Sequence, residues 1–294
     1  MVTLLRASRA LCSSASCGVS DGPFTLLSKS QVSPDSWLLR LTLPPPARFL
    51  GEDTALPTCI KVAYNGTSES GEPKVLEKSY SPVSHPALEG EVELLVKAYP
   101  PRPGGGVGAY LCGMQVGEAM LATLKSERIM HGSPGVLGRW KHLGLVAGGT
   151  GVAPLMQIAR LVLESPGDET TTVHVLSVNR YEEDILMRDA WDALVAAHPE
   201  RLVVRHSLTA PPEGWTGLTG RGDVAMAQAA LPKPTGDGST MVLVCGTDGF
   251  VATWGGPVGR APKKPDGSKG GKIQGPLTGL LAEAGFDASE VFKY

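Results

Sequence analysis

The segment Gly148-Gly149-Thr150-Gly151-Val152-Ala153-Pro154 stands between an apolar run, residues 143–147, and an amphipathic stretch, residues 155–163. Glycines at the end of a strand let the backbone approach a phosphate closely. A helix that begins there, with Pro154 in its first turn, adds unpaired N–H groups and the positive end of its dipole. The spacing is not the G-x-G-x-x-G dinucleotide fingerprint, so these residues by themselves promise phosphate binding. About seventy residues upstream lies Lys78-Ser79-Tyr80-Ser81-Pro82-Val83-Ser84. It sets an aromatic face beside hydroxyl and amide donors. Alone, a Tyr-Ser-Pro run reads as an ordinary edge strand. A third element, Cys245-Gly246, ends the apolar run 240–245, and alone its thiol reads as a small buried hydrophobe.

Two platforms are needed to hold these residues, and 294 residues suffice for two domains. From residue 22 to about 130 the pattern is short strands between turns. Trp37, Leu39, Leu41 and Leu43 alternate with Leu38, Arg40 and Thr42 until prolines 44–46 end the strand. Further strands are expected at 59–64, 75–80, 91–99 and 119–125, with Asn65-Gly66 and Glu89-Gly90 as turns. After Lys141 strands at 143–147, 171–178, 202–207, 240–245 and 291–294 alternate with helices at 155–163, 182–197, 225–231 and 277–284. The fold class is therefore β + α/β: an antiparallel β-barrel over 22–135, then a parallel-sheet nucleotide-binding domain over 141–294. Ligands of such parallel sheets bind beyond the carboxyl ends of the strands. Gly148-Gly149-Thr150-Gly151 and Cys245-Gly246 are thus expected to face one crevice.

Composition removes several function classes. The 27 basic and 29 acidic side chains nearly cancel, so no global field recruits nucleic acid. Cys12, Cys17, Cys59, Cys112 and Cys245 are scattered, without the spacing of a zinc or iron–sulfur site; no metal is expected. No run of eighteen apolar residues occurs, and membrane contact is expected to be peripheral at most.

Over residues 22–294 the chain resembles the ferredoxin–NADP reductase superfamily and, within it, the NADH-cytochrome b5 reductases. The resemblance rests on Tyr80-Ser81-Pro82-Val83-Ser84 against the family's Arg-x-Tyr-Ser/Thr-Pro-Val-Ser, and on the 148–154 turn continuing into Leu155-Met156-Gln157. It implies that Tyr80 packs on a flavin and its ribityl chain, that Ser81 hydrogen-bonds near the flavin N5, and that Pro82 and Val83 border the same site. Lys78 stands where the family has an arginine on the FAD pyrophosphate, keeping the charge but losing the bidentate fork. Val96-Lys97-Ala98-Tyr99 resembles a Val-Lys-x-Tyr strand along the flavin. Gly105-Gly106-Val107-Gly108 stands where the family has Gly-Lys-Met-Ser, and its amides are expected to nest the pyrophosphate. The resemblance also sets Thr150 beside nicotinamide and flavin, and Cys245-Gly246 at the nicotinamide C4, although Thr247-Asp248-Gly249 replaces the family prolines. Ser81, Thr150 and Cys245 are then the residues expected at the chemistry. The implied cofactors are FAD and NADH, and the implied activity is hydride uptake followed by electron transfer to a separate acceptor, first of all cytochrome b5. Quinone, oxygenase and nitrate reductase-type acceptors are the alternatives within this class; a mitochondrial accessory subunit without turnover is the alternative outside it.

Three further segments carry expectations. Asn179-Arg180-Tyr181-Glu182-Glu183-Asp184-Ile185-Leu186 resembles the family's acidic segment, in which Asp184 repels a 2′-phosphate; NADH is expected over NADPH, with Arg180 the opposing feature. Residues 255–276 are rich in Gly and Pro and carry Arg260, Lys263, Lys264, Lys269 and Lys272 against Asp266 alone. A mobile basic loop that steers an acidic partner such as cytochrome b5 is expected there. Residues 1–21 hold Arg6, Arg9 and several serines with no acid before Asp21, the composition of a mitochondrial transit peptide, with plastid or cytosolic residence as alternatives.

Overall fold

The computed structural model describes residues 20–43, 58–68, 70–85, 88, 90–100, 103–125, 135–263, 265 and 270–294. Six antiparallel strands build the first half: β1 (Ser20–Ser33), β2 (Ser36–Thr42), β3 (Cys59–Thr67), β4 (Pro73–Tyr80), β5 (Glu91–Lys97) and, after helix α1 (Val107–Gly113), β6 (Ala119–Lys125). Their order is β4-β3-β6-β1-β2-β5. A bridge from Pro82 to Leu94 brings the end of β4 back to β5 and closes the barrel. Alternation does what it should: Leu39 and Leu41 of β2 and Phe24 and Leu26 of β1 are fully buried, while Arg40 faces out.

Strand β1 is not legible in the sequence. Its serine-, Gly- and Pro-containing run resembles a loop, and register shifts between Leu26 and Ser28 and between Gln31 and Ser33 interrupt its period. Asn65-Gly66 is a correction of another kind. Both lie inside β3, paired with Val75 and Lys74, and the chain reverses instead at Ser68–Gly71, where Gly71 takes φ +85°. Glycine is required at 66 by a close approach, since a Cβ there would stand 2.5 Å from the Gly104 carbonyl oxygen. Helix α1 is equally unannounced by the Gly-rich run: Gly104 and Gly105 take positive φ, Gly106 is the N-cap, and Val107 and Gly108 already belong to the helix.

The second half is a six-stranded sheet in which every pairing is parallel. It comprises β7 (His142–Gly148), α2 (Val152–Glu164), β8 (Thr172–Asn179), α3 (Arg188–Ala197), β9 (Leu202–Leu208), β10 (Leu218–Thr219), α4 (Val224–Ala230), β11 (Thr240–Cys245), α5 (Asp248–Gly255), β12 (Val258–Arg260), β13 (Lys272–Gln274), α6 (Leu280–Glu283) and β14 (Val291–Lys293). The sheet order is β10-β9-β8-β7-β11-β14. Apolar cores cover both faces, which is why β7, β8 and β11 read as near-continuous apolar runs. The single helix expected at 182–197 is broken: Glu182–Asp184 form a 3-10 turn and Met187 takes φ +61° before α3 begins. Helix α5 was not expected, although Thr247 caps it by accepting from the Phe250 amide at 3.3 Å.

The described part of 255–276 corrects the expectation of an unstructured loop; Lys264, Asp266 and Lys269 lie outside the described residues. β12 and β13 pair as an antiparallel hairpin, and its base is fastened to β14. The buried Lys293 ammonium donates to the carbonyls of Pro257 (3.0 Å), Gly275 (2.8 Å) and Pro276 (3.0 Å), while Gln274 pairs through both side-chain ends with the Lys293 backbone.

One core joins the two halves. Val83 and Leu95 of the barrel are buried with Val136, Trp140, Leu145 and Met156, and Val32 and Leu38 pack against them. Buried Thr58 and Gln157 exchange two hydrogen bonds across the seam, at 3.1 and 3.2 Å. Each contributes roughly 1 kcal/mol, and breaking either costs more because its partner stays buried. The expected transit segment falls on residues 1–19, outside the described residues, apart from Ser20 and Asp21, which begin β1.

Candidate functional site

A cleft of about 1050 Å³ opens between the barrel and the carboxyl ends of the parallel strands. From the barrel it is lined by Lys78, Ser79, Tyr80, Ser81, Lys97 and Tyr99, and by the β1–β2 turn. From the parallel sheet come Gly148, Gly149, Thr150, Gly151, Pro154, Asn179, Arg180, Asp184, Thr209, Arg221, Cys245, Gly246 and Phe250, and from the chain's end Lys272 and Tyr294. The two motifs that the sequence separates by about seventy residues therefore face one space.

The strand-end wall is tight by construction. β11 lies beside β7 in register, with Val244 opposite Val146 and Cys245 opposite Ala147. A Cβ on Gly151 would collide with the Cys245 carbonyl and stand 2.7 Å from the Gly246 nitrogen, all of it backbone. Gly149–Gly151 form a 3-10 turn that runs into α2; the Val152 amide is taken by the Gly149 and Thr150 carbonyls and Pro154 has none, so the amides offered here are those of the glycine turn itself. The Phe250 ring packs on both neighbouring glycines, 2.8 Å from where a Cβ of Gly148 would stand and 2.5 Å from that of Gly246.

The barrel wall is aromatic and cationic. Lys78 Nζ lies 5.4 Å from the centroid of the Tyr80 ring and 5.2 Å from that of Tyr99, so its charge is stabilised between two π faces. Tyr80 is buried, and its hydroxyl has no hydrogen-bond partner among the described residues. Burial, reinforced by Cys112 and Tyr99, pushes its phenol well above the ordinary value, so it stays a hydrogen-bond donor. Lys97 Nζ pairs with Asp35 Oδ2 at 2.6 Å, and Ser33 and Ser36 hydroxyls donate to Asp35 Oδ1. Partial burial raises the Asp35 carboxyl, but the hydrogen bond from Lys97, those from Ser36 and Ser33, and the Lys97 charge together hold it below the usual range.

Not every expected site residue reaches the cleft. Val96 is fully buried in the barrel core, Val83 in the core between the halves, and Pro82 is used in the bridge to Leu94. Gly105, Gly106, Val107 and Gly108 are not among the lining residues. Gly108 has a packing reason for lacking a side chain: a Cβ there would stand 2.8 Å from the Lys97 carbonyl oxygen and 3.7 Å from the Tyr80 hydroxyl. α1 therefore lies flush behind the barrel wall. Asp184 does line the cleft, and its Oδ2 accepts from the Tyr181 amide at 3.1 Å.

Residues that sequence reasoning missed include Asp35, Arg221, Phe250, Lys272 and Tyr294. Arg221 stands between two glycines and Phe250 one turn after Cys245-Gly246, which are faint local signals. Asp35 and Lys272 have none, because only sheet and hairpin geometry bring them here. No group of His, Cys, Asp and Glu fit to hold a metal occurs among the described residues, and none of their helices is long and apolar enough to cross a membrane.

Comparison with known proteins agrees with this division. Residues 23–123 match the family model for an oxidoreductase FAD-binding domain, and residues 145–254 that for an oxidoreductase NAD-binding domain. The chain is 36% identical to the NADH-cytochrome b5 reductase 1 of Lodderomyces elongisporus over 229 residues, 78% of this chain and 71% of that one. It is 31% identical to the NADH-cytochrome b5 reductase-like protein of Arabidopsis thaliana over 272 residues, 92% of this chain and 76% of that one. In fold it is similar to the cytochrome b5 reductase domain of Ulva prolifera nitrate reductase, with a TM-score of 0.71 at 24% identity, over 94% of this chain and 97% of that one. It is also similar to the CS-b5R domains of human Ncb5or in the NAD+ form, with a TM-score of 0.68 at 22% identity, over 95% and 70%.

Proposed function

The chain belongs to the NADH-cytochrome b5 reductase family, and from that premise we propose that it is an FAD-dependent oxidoreductase that takes hydride from NADH and passes single electrons to cytochrome b5. The observation that carries this is the meeting of Lys78-Ser79-Tyr80-Ser81 with Gly148-Gly149-Thr150-Gly151 and Cys245-Gly246 across one cleft.

The residues present fit the two cofactors. A cleft of about 1050 Å³ lies at the top of the range for ligand sites. The buried, unpartnered Tyr80 hydroxyl offers a donor on the barrel wall, and the side-chain-free strand ends offer backbone amides on the other. FAD, when bound, supplies the change from a two-electron hydride to one-electron transfers. The protein's part is position and environment. Lys78, between Tyr80 and Tyr99, brings a positive charge to a pyrophosphate. Tyr80 and Tyr99 exclude water, and Ser81 offers a hydroxyl or amide where a ring nitrogen gains its proton. Thr150 and Cys245, at adjacent strand ends, orient the nicotinamide. No general base is required, because alignment and proximity of donor and acceptor carbon and nitrogen drive the transfer.

The purified protein should be yellow and bleach anaerobically on addition of NADH, and should then reduce cytochrome b5. Failure to hold flavin would overturn the reading in favour of an accessory subunit; flavin reduction without cytochrome b5 reduction would redirect it to another acceptor. The β12–β13 hairpin supports docking of that acceptor, since Arg260, Lys263 and Lys272 are exposed on it. Reversing Arg260 and Lys263 to Glu should weaken cytochrome b5 reduction and its salt dependence while sparing ferricyanide; equal loss with both acceptors would count against docking. The acid-free, Arg- and Ser-rich start of the chain supports a mitochondrial address. A fusion of residues 1–25 to a fluorescent reporter tests it, and a diffuse cytosolic signal would refute it.

A further inference from the structure

On the premise that NADH occupies the cleft, we infer that Arg180 and Arg221 form a phosphate subsite at its adenosine end. That subsite takes the 2′-phosphate of NADPH, so that the enzyme uses both reduced nucleotides.

Sheet order makes the subsite. β8, β9 and β10 lie side by side and parallel, and Arg180, Thr209 and Arg221 follow their carboxyl ends. All three line the cleft. Strands two places apart stand about 10 Å apart, a gap that two arginine side chains can close upon one phosphate from opposite sides. Both arginines are exposed, and neither guanidinium is ion-paired among the described residues.

Their backbones are fixed beforehand. The Arg180 carbonyl accepts from the Ala210 amide at 2.9 Å, and its guanidinium stacks 4.9 Å from the Tyr181 ring centroid. Arg221 is carried between Gly220 and Gly222, at φ +111° and +120°, conformations that a side-chain-bearing residue rarely takes. The Gly220 amide donates to Leu208 at 2.9 Å, Ser207 Oγ donates to the Gly220 carbonyl at 2.8 Å, and Gly222 lies against the Trp254 ring.

Two of the three carboxylates at 182–184 have partners of their own. Asp184 accepts from the Tyr181 amide at 3.1 Å, and Glu182 pairs with Arg188 at 3.0 Å. Glu183, the third carboxylate of that turn, is exposed, and of the three only Asp184 lines the cleft, where two guanidinium groups stand against one carboxylate. A phosphate monoester, carrying more than one negative charge at neutral pH, is the anion that such a pair of forks recognises.

The probe is 2′,5′-ADP against 5′-AMP, titrated calorimetrically into the FAD-loaded protein. The expected result is an advantage of about tenfold or more for 2′,5′-ADP. It should vanish in the Arg180→Ala/Arg221→Ala double variant and survive in part with lysine at both positions. In flavin reduction, the same double variant should lower the ratio of kcat/KM for NADPH to that for NADH by about tenfold. Equal affinity for the two probes, or equal loss of both nucleotides, would overturn the subsite. Reduction by NADH with none by NADPH would sink the subsite alone, whereas no reduction by either would sink the reductase reading beneath it.

Discussion

Gly151→Ala is the sharpest perturbation that the structure offers. Gly151 sits at φ −59°, ψ −14°, ordinary right-handed backbone that alanine accepts without strain. The whole effect is therefore contact. The added Cβ would collide with the Cys245 carbonyl and approach the Gly246 nitrogen to 2.7 Å. Neither is a side chain that can rotate away, so the end of β11 must withdraw from the α2 turn by about 1 Å to restore ordinary contact distances. Overpacking against rigid backbone costs roughly 3 kcal/mol of stability. A displacement of that size at the nicotinamide wall costs about a hundredfold in the rate of a step that depends on near-attack geometry. The assay is anaerobic stopped-flow reduction of bound flavin at saturating NADH, with flavin content measured first. Flavin should be retained, because the barrel wall is untouched, while the limiting reduction rate falls. Gly113→Ala is the control: its added Cβ meets nothing within 4 Å, its φ lies outside the left-handed region, and it does not line the cleft. Wild-type reduction by folded, flavin-loaded Gly151→Ala would refute this reasoning, as would an equal loss in Gly113→Ala.

Other consequences are simpler to test. Tyr80→Phe removes a buried hydroxyl that has no partner among the described residues, so the flavin-free protein should lose no stability while FAD affinity, read by fluorescence quenching, falls by about tenfold. Lys293→Met strands three carbonyls at the base of the β12–β13 hairpin; it should cost roughly 2–4 kcal/mol in denaturant melts and speed hydrogen exchange in both strands. Glu290 is buried and accepts from the amides of Asp287, Gly236 and Thr235 and from the Thr235 hydroxyl. Burial raises its carboxyl, but those bonds outweigh burial and hold it below its ordinary value of 4.5. Its folded value is depressed, so its contribution is fully present above about pH 4.5 and disappears as pH falls through the folded value. Glu290→Gln should lower stability at pH 7 and flatten the acid limb of the stability profile; an unchanged acid limb would contradict this.

Local physics made much of the molecule legible. The apolar runs of β7, β8 and β11 are buried on both faces and could be read as parallel strands, and β2 announced itself by strict alternation. β1 did not, because bulges spoil its period, and neither did α1 and α5, whose few residues carry too little periodicity to register. The hairpin at 258–274 looked structureless because Gly and Pro dominate its composition. One lysine from the far end of the chain fastens the base of its two strands.

By itself the sequence determined which residue types could do the chemistry: Tyr80 and Ser81 on a strand, glycines at the end of β7, a cysteine at the end of β11. These depend on side-chain identity and on turns a few residues long, which the chain encodes locally. Only the tertiary structure decided which of them share a space. Setting β11 beside β7 brings Cys245 against Gly151, and setting β10 two places from β8 brings Arg221 to the cleft that Arg180 lines. Sheet order also turned Val83 and Val96 inward, away from the cleft that their neighbours line. Strand neighbours are chosen by packing across the whole sheet, and packing partners remote in sequence leave no local pattern.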